Sequence, residues 1–155
     1  MTLGDAWLKA EKYADARRML ETLEKWAPDF KDRETLWARA VYSDPALKSE
    51  QKHYLLTHAN LHEPFALYYR AASVAAVGEY SGAFSIYESL LQSKQTVLTG
   101  QIETITAEAG FLCQKAKRSD CLSLKPRVQA LYAATWDEAR YQARRQSLNP
   151  APNPL

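Results

Sequence analysis

Three histidines, two cysteines and an acid-rich first third are the residues of this chain whose types and spacing could do chemistry. His58 and His62 are four apart and would share a face if one helix covered both. Two histidines at that spacing can hold a metal ion, but the pair falls at a predicted helix end before Pro64. His53 lies five residues away, off that face, and no third ligand is evident. These read as surface or packing histidines. Residues 1–50 carry ten acids and nine bases. Among them Asp29, Asp32 and Glu34 read as helix caps and first-turn charges, which complement the helix dipole. There is no GxSxG, no glycine loop that could cradle phosphate and no HExxH. The expectation is a protein that is not an enzyme, with no catalytic residue, no metal site and no cofactor.

Cys113 and Cys121 enclose the segment QKAKRSD, which reads as a helix end, a loop and a helix start. That placement can bring two Cβ atoms near bonding distance across a hairpin. Two readings stay open: reduced thiols in a reducing compartment, or a disulfide in an oxidising one. The first twenty residues place Asp5, Lys9, Glu11 and Lys12 where a secretory signal needs an apolar core. No run approaches eighteen apolar residues, so no membrane span is expected. The expected location is cytoplasmic. The alternative is periplasmic or extracellular, if the chain is a piece of a larger exported protein.

The elements that must position these residues are helices. The composition is ordinary for a globular protein, 46% apolar and 25% charged over 155 residues. A chain of this length can bury roughly 70% of its unfolded surface without metal or disulfide. One domain over 1–148 is expected, followed by the proline-rich tail NPAPNPL over 149–155. The net charge of +2 argues neither for nor against nucleic acid; no nucleic-acid partner is expected, because the eight bases of 101–155 against five acids are not clustered tightly enough for one. Apolar periodicity predicts helices over about 2–11, 13–26, 33–42 and 45–59. Further helices are predicted from Pro64 to Gly78, over 80–91, over 98–117, and from about Pro126 to 146 with a break near Trp136. Asp32 and Asp44 are the predicted caps of the third and fourth, and Thr135 with Glu138 a capping box in the last. Val128, Leu131, Tyr132, Trp136, Ala139 and Ala143 form the predicted apolar stripe of that last segment. Arg140, Arg144 and Arg145 lie between them as a polar outer face.

One spacing occurs twice. Tyr13, Ala16, Leu20, Leu23 and Pro28 are separated by 3, 4, 3 and 5 residues, and Tyr80, Ala83, Tyr87 and Leu90 repeat the 3, 4, 3 part sixty-seven residues later. Leu3-Gly4 followed by Trp7 precedes the first occurrence. This pattern resembles the tetratricopeptide repeat, whose period is 34 residues. The resemblance covers about residues 1–95, well over 1–28 and 64–91 and weakly between. It implies an all-α solenoid of stacked antiparallel helical hairpins, with a C-terminal capping helix.

In that family the first helix of each hairpin lines a concave groove that binds a partner segment. Carried over by position, the groove residues would be Asp5, Leu8 and Lys9, then Glu34, Ala38, Val41 and Tyr42, then Phe65, Tyr68, Ala72, Ala75 and Ala76. Asp5, Tyr68 and Ala72 stand where chaperone-binding members carry the lysine and asparagine of a carboxylate clamp, so that clamp is not expected. An apolar or aromatic anchor from a protein partner is expected instead. Each groove position has a second reading as core between adjacent hairpins. The resemblance implies a non-catalytic interaction module, an adaptor or assembly factor. Its alternatives are a translocator chaperone of type III secretion or the sensory repeat domain of a larger transcriptional regulator. Secreted Sel1-like repeats, related to this family, carry two cysteines at the separation of Cys113 and Cys121; reduced thiols remain the first expectation and the disulfide the alternative.

Overall fold

The structure, a computed structural model, describes residues 12–27, 29–93 and 98–148. Among these residues there are eight α-helices and no strand, so the all-α expectation holds. None of the described helices is long and apolar enough to cross a membrane. Internal contacts divide the chain into two compact units at Val77/Gly78.

The first unit contains α1 (Tyr13–Trp26), α2 (Arg33–Ser43), α3 (Ser49–His58) and α4 (Pro64–Ala76). The stripe of α1 buries Ala16 and Leu20 completely against Leu36 and Ala40 of α2, with Tyr13, Met19 and Leu23 flanking them. The opposite side of α2 contributes Ala38 and Val41 to a second cluster with Leu56, Leu61 and Ala66. Helix α2 is therefore apolar on two faces, and its alanines let neighbouring backbones approach closely. It packs against α1, α3 and α4.

Two helix starts in this unit differ from the sequence reading. Asp32 does not cap α2; its own backbone is left-handed (φ 63°) and its side chain makes no cap bond. Glu63 does so from 28 residues away, accepting from the Thr35 amide at 3.1 Å and from its hydroxyl at 2.7 Å. Glu34 reciprocates by accepting the amides of His62 and Glu63, the latter at 3.2 Å. Each carboxylate thus sits on the positive end of the other's helix, which satisfies orphan amides and complements the dipole. Helix α3 begins at Ser49 rather than near Pro45, because Asp44 closes a turn onto the Ala46 amide (2.9 Å) instead of capping a helix. Asp44 is buried and lies 3.7 Å from Arg17.

The second unit contains α5 (Tyr80–Gln92), α6 (Ile102–Lys115), a 3-10 turn (Cys121–Ser123), α7 (Leu124–Leu131) and α8 (Glu138–Leu148). Gly78 and Gly100, at φ +86° and +95°, make the left-handed turns ahead of α5 and α6 that other residues rarely adopt. The predicted stripe of α5 is buried except at its start: Ala83, Phe84, Tyr87, Leu90 and Leu91 are all below 5% exposure, whereas Tyr80 is half-buried. Helix α6 is the centre of the unit and packs against α5, α7 and α8. It buries Ile102, Ile105, Ala107, Ala109, Leu112 and Cys113 together with Glu103, Thr106 and Glu108.

The break expected near Trp136 is present, but its cap is Asp137, which accepts the Arg140 amide at 3.2 Å. The predicted apolar stripe holds only for its first part. Val128 and Tyr132 are buried, whereas Leu131, Ala139 and Ala143 are exposed. The hairpin predicted over 64–91 has its two helices on opposite sides of the unit boundary. Helix α4 packs against α2 and α3, and α5 packs against α6.

Candidate functional site

Of the residues that the repeat resemblance assigns to a groove, Asp5, Leu8 and Lys9 lie outside the described residues. Glu34 is committed to capping α4, as above. Ala38 and Val41 are fully buried in the core of the first unit and present nothing to a partner. The others reach the surface. Tyr42 is 36% exposed. Phe65, Tyr68, Ala72 and Ala75 are half-buried, and Ala76 is exposed. Phe65, Tyr68, Ala72 and Ala76 follow helical spacing and share one face of α4.

Tyr69 ties this face to α2. Its ring lies 5.5 Å from that of Tyr42 and meets Tyr68 edge-on at 5.7 Å. Burial pushes its phenol pKa up, against the Arg39 charge, which lowers it. Lys52 holds its ammonium 5.6 Å from the centre of the Tyr42 ring. The structure therefore brings Tyr42, Tyr68 and Tyr69 into one half-exposed aromatic cluster with cations beside it. The sequence reading placed Tyr42 and Tyr68 and missed Tyr69. The adjacent pair Tyr68-Tyr69 was the available signal, since neighbouring residues on a helix point about 100° apart and can span two contacts.

Histidine chemistry does not assemble. His58 ends α3, where its ring stacks on Tyr54 at 4.1 Å and its Nδ1 sits 2.8 Å from the Tyr54 carbonyl. His62 lies beyond that helix, 3.8 Å from Glu34.

Another charged arrangement lies in the second unit, and sequence reasoning missed it. Glu103 and Glu108 are buried on α6. Arg144 of α8 binds Glu108 through Nε at 3.2 Å and a terminal nitrogen at 3.0 Å. The Tyr87 hydroxyl donates to the other Glu108 oxygen at 3.0 Å. Arg140 sits 3.7 Å from Glu103, whose other oxygen accepts the Asp137 amide at 3.1 Å. Of the arginines read as the outer face of a terminal helix, Arg140 and Arg144 thus reach buried acids of α6, whereas Arg145 is exposed. Helix α8 has no buried residue of its own. Two ion pairs with buried acids tie it to α6. Two signals could have revealed this: glutamates inside a helix otherwise made of Ile, Ala, Leu and Cys, and two arginines four residues apart near the end.

Cys113 closes the last turn of α6 and is bonded to Cys121, which opens the 3-10 turn; the Cα atoms are 5.6 Å apart. The helix-end, loop, helix-start reading of the intervening segment holds. Arg118 stacks its guanidinium 4.6 Å over Phe84 and grips Asp120 with both nitrogens at 3.2 Å. Those hydrogen bonds hold the Asp120 carboxyl below its usual range.

Beside this bridge lies a cleft of about 300 Å³. Its floor is Ala107, Gly110 and Phe111 of α6, and its apolar walls are Leu122, Pro126 and Leu148. Gln114, Lys125, Tyr141 and Arg145 supply the polar rim, and no acid lines it among the described residues. Glycine inside a helix costs about 1 kcal/mol relative to alanine. No steric need explains Gly110, because a Cβ built there meets nothing within 4 Å.

No protein-family model matches this chain, and no curated protein or solved structure matches it either.

The rim of the cleft is braced by Glu138 at the start of α8. It accepts from Lys125 and Gln142, each at 2.8 Å, and from the Trp136 indole at 3.0 Å. These bonds, led by the one from Lys125, lower the Glu138 pKa to about 2. A depressed carboxylate pKa contributes stability that is fully present above the unfolded value, about 4.5, and is lost as pH falls through the folded one. The brace between α7 and α8 is therefore expected to persist through pH 4 and release only toward pH 2. Carboxyl-carbon NMR titration checks this; a Glu138 midpoint near 4.5 would show the brace absent.

Proposed function

We propose that this chain is a non-catalytic protein–protein interaction module of the tetratricopeptide-like kind, an adaptor or assembly factor. The observation that carries the reading is the half-exposed cluster of Tyr42, Tyr68 and Tyr69 across α2 and α4. Tyrosine is enriched among residues that dominate binding energy, because it offers large rigid contact area with a polar tip. The repeated spacing adds support. Ala16 and Leu20 in one occurrence, and Ala83, Tyr87 and Leu90 in the other, are all buried, as the repeat requires, although α5 packs on the helix after it. The partner is a protein segment with an apolar or aromatic anchor, laid against the face of α4 that carries Phe65, Tyr68 and Ala72.

A photoreactive residue at Ala76, on the exposed end of that face, tests the idea in the native host. A discrete cross-linked partner is expected. Tyr68→Ala is expected to reduce its yield about tenfold, the loss of one well-placed aromatic anchor. The same change is expected to leave thermal stability nearly unaltered, whereas Leu56→Ala in the core costs about 2–5 kcal/mol. If Tyr68→Ala destabilises the protein as much as Leu56→Ala, Tyr68 is core and this face is not the binding surface.

A further inference from the structure

The geometry points to a second, independent site: we propose that the cleft between α6, α7 and α8 binds a small organic monocarboxylate with an apolar body. Shape comes first. At about 30 Å³ for each water-sized group, the 300 Å³ cleft has room for about ten heavy atoms. Its size falls at the low end of small-molecule sites. The floor is kept open by Gly110, a residue unfavourable in a helix and required by no neighbour. A Cβ at that position would enter open space, so a larger side chain there would extend into the cleft.

Charge sets the class of ligand. The cleft is lined by two cations and no acid among the described residues. They are not equivalent. Lys125 is held by Glu138 at 2.8 Å and lies 4.5 Å from the centre of the Tyr141 ring. Arg145 has no acidic partner among the described residues, unlike Arg140 and Arg144 on the same helix. A single available guanidinium fork matches a single carboxylate. Opposite the rim, Leu122 stands 89% exposed on the disulfide-linked turn, an apolar wall with nothing against its outer face. A ligand's alkyl or aryl body would cover it.

The probes are octanoate, with ten heavy atoms, and octan-1-ol, which has the same chain without the charge. Binding is followed by amide chemical shifts of the full chain. Octanoate is expected to bind saturably, with shifts centred on Gly110, Leu122 and Arg145, and at least tenfold more tightly than octan-1-ol. Arg145→Gln is expected to erase that preference while leaving the apolar contribution. Gly110→Leu is expected to weaken octanoate at least tenfold without lowering the melting temperature, because it fills open space. Leu122→Asp, at an exposed position, provides a second route to the same loss by placing an anion on the wall. The proposal is overturned if octanoate causes no saturable shifts at these residues, if octan-1-ol binds equally well, or if the folded Gly110→Leu and Leu122→Asp proteins bind octanoate as the parent does.

Discussion

Arg144→Leu is expected to destabilise the second unit by about 3 kcal/mol, near the low end of the range for breaking a buried ion pair. The side chain of Glu108 is 9% exposed and that of Arg144 38%. Removing the arginine leaves a carboxylate that water reaches poorly without the cation that faces it. The half-wet arginine side of the pair keeps the figure from being higher. The decisive comparison is the double variant. Glu108→Gln keeps an acceptor for Tyr87 and removes the charge, so Glu108→Gln/Arg144→Leu is expected to regain most of the loss. Urea unfolding of the four proteins of this cycle measures it. A single-variant cost below about 0.5 kcal/mol, typical of a surface substitution, would mean that α8 is held by something other than this pair.

Replacing the Cys113–Cys121 bridge by alanines is expected to cost about 2–3 kcal/mol, the loop-entropy value for a closed loop of this size. The bridge joins the end of α6 to the turn that carries Leu122, so its loss frees one wall of the cleft as well as the loop. Two measurements check it. Thiol titration of the unreduced protein is expected to find no free thiol, and reduction is expected to lower the melting temperature of the parent but not of the double alanine variant. Two titratable thiols in protein taken from its native compartment would show the bridge absent there.

Most helices were legible because their cause is local. An apolar stripe at helical spacing, with proline or glycine at its ends, determined α1, α2, α4 and α5 within a residue or two. The disulfide partners were legible for a related reason: the polar segment between them could only be a turn, which constrains both ends. Wherever a long-range contact competed with a local one, sequence reasoning failed. Asp32 looked like the cap of α2, but Glu63 holds that helix start from across the chain. A charge pattern states that a residue prefers water, not whether another buried charge will meet it. Arg140 and Arg144 therefore read as an outer face until α6 placed Glu103 and Glu108 beneath them. By itself the sequence determined that this protein is helical, where most of its helices lie and which two cysteines can meet. The tertiary structure alone decided that Arg140 and Arg144 meet buried acids, that Ala38 and Val41 belong to the core rather than to a surface, and that an open cleft lies over Gly110. The physical reason is range: backbone hydrogen bonding and periodicity act within a few residues, whereas burial and ion pairing depend on which distant segments come to share a volume.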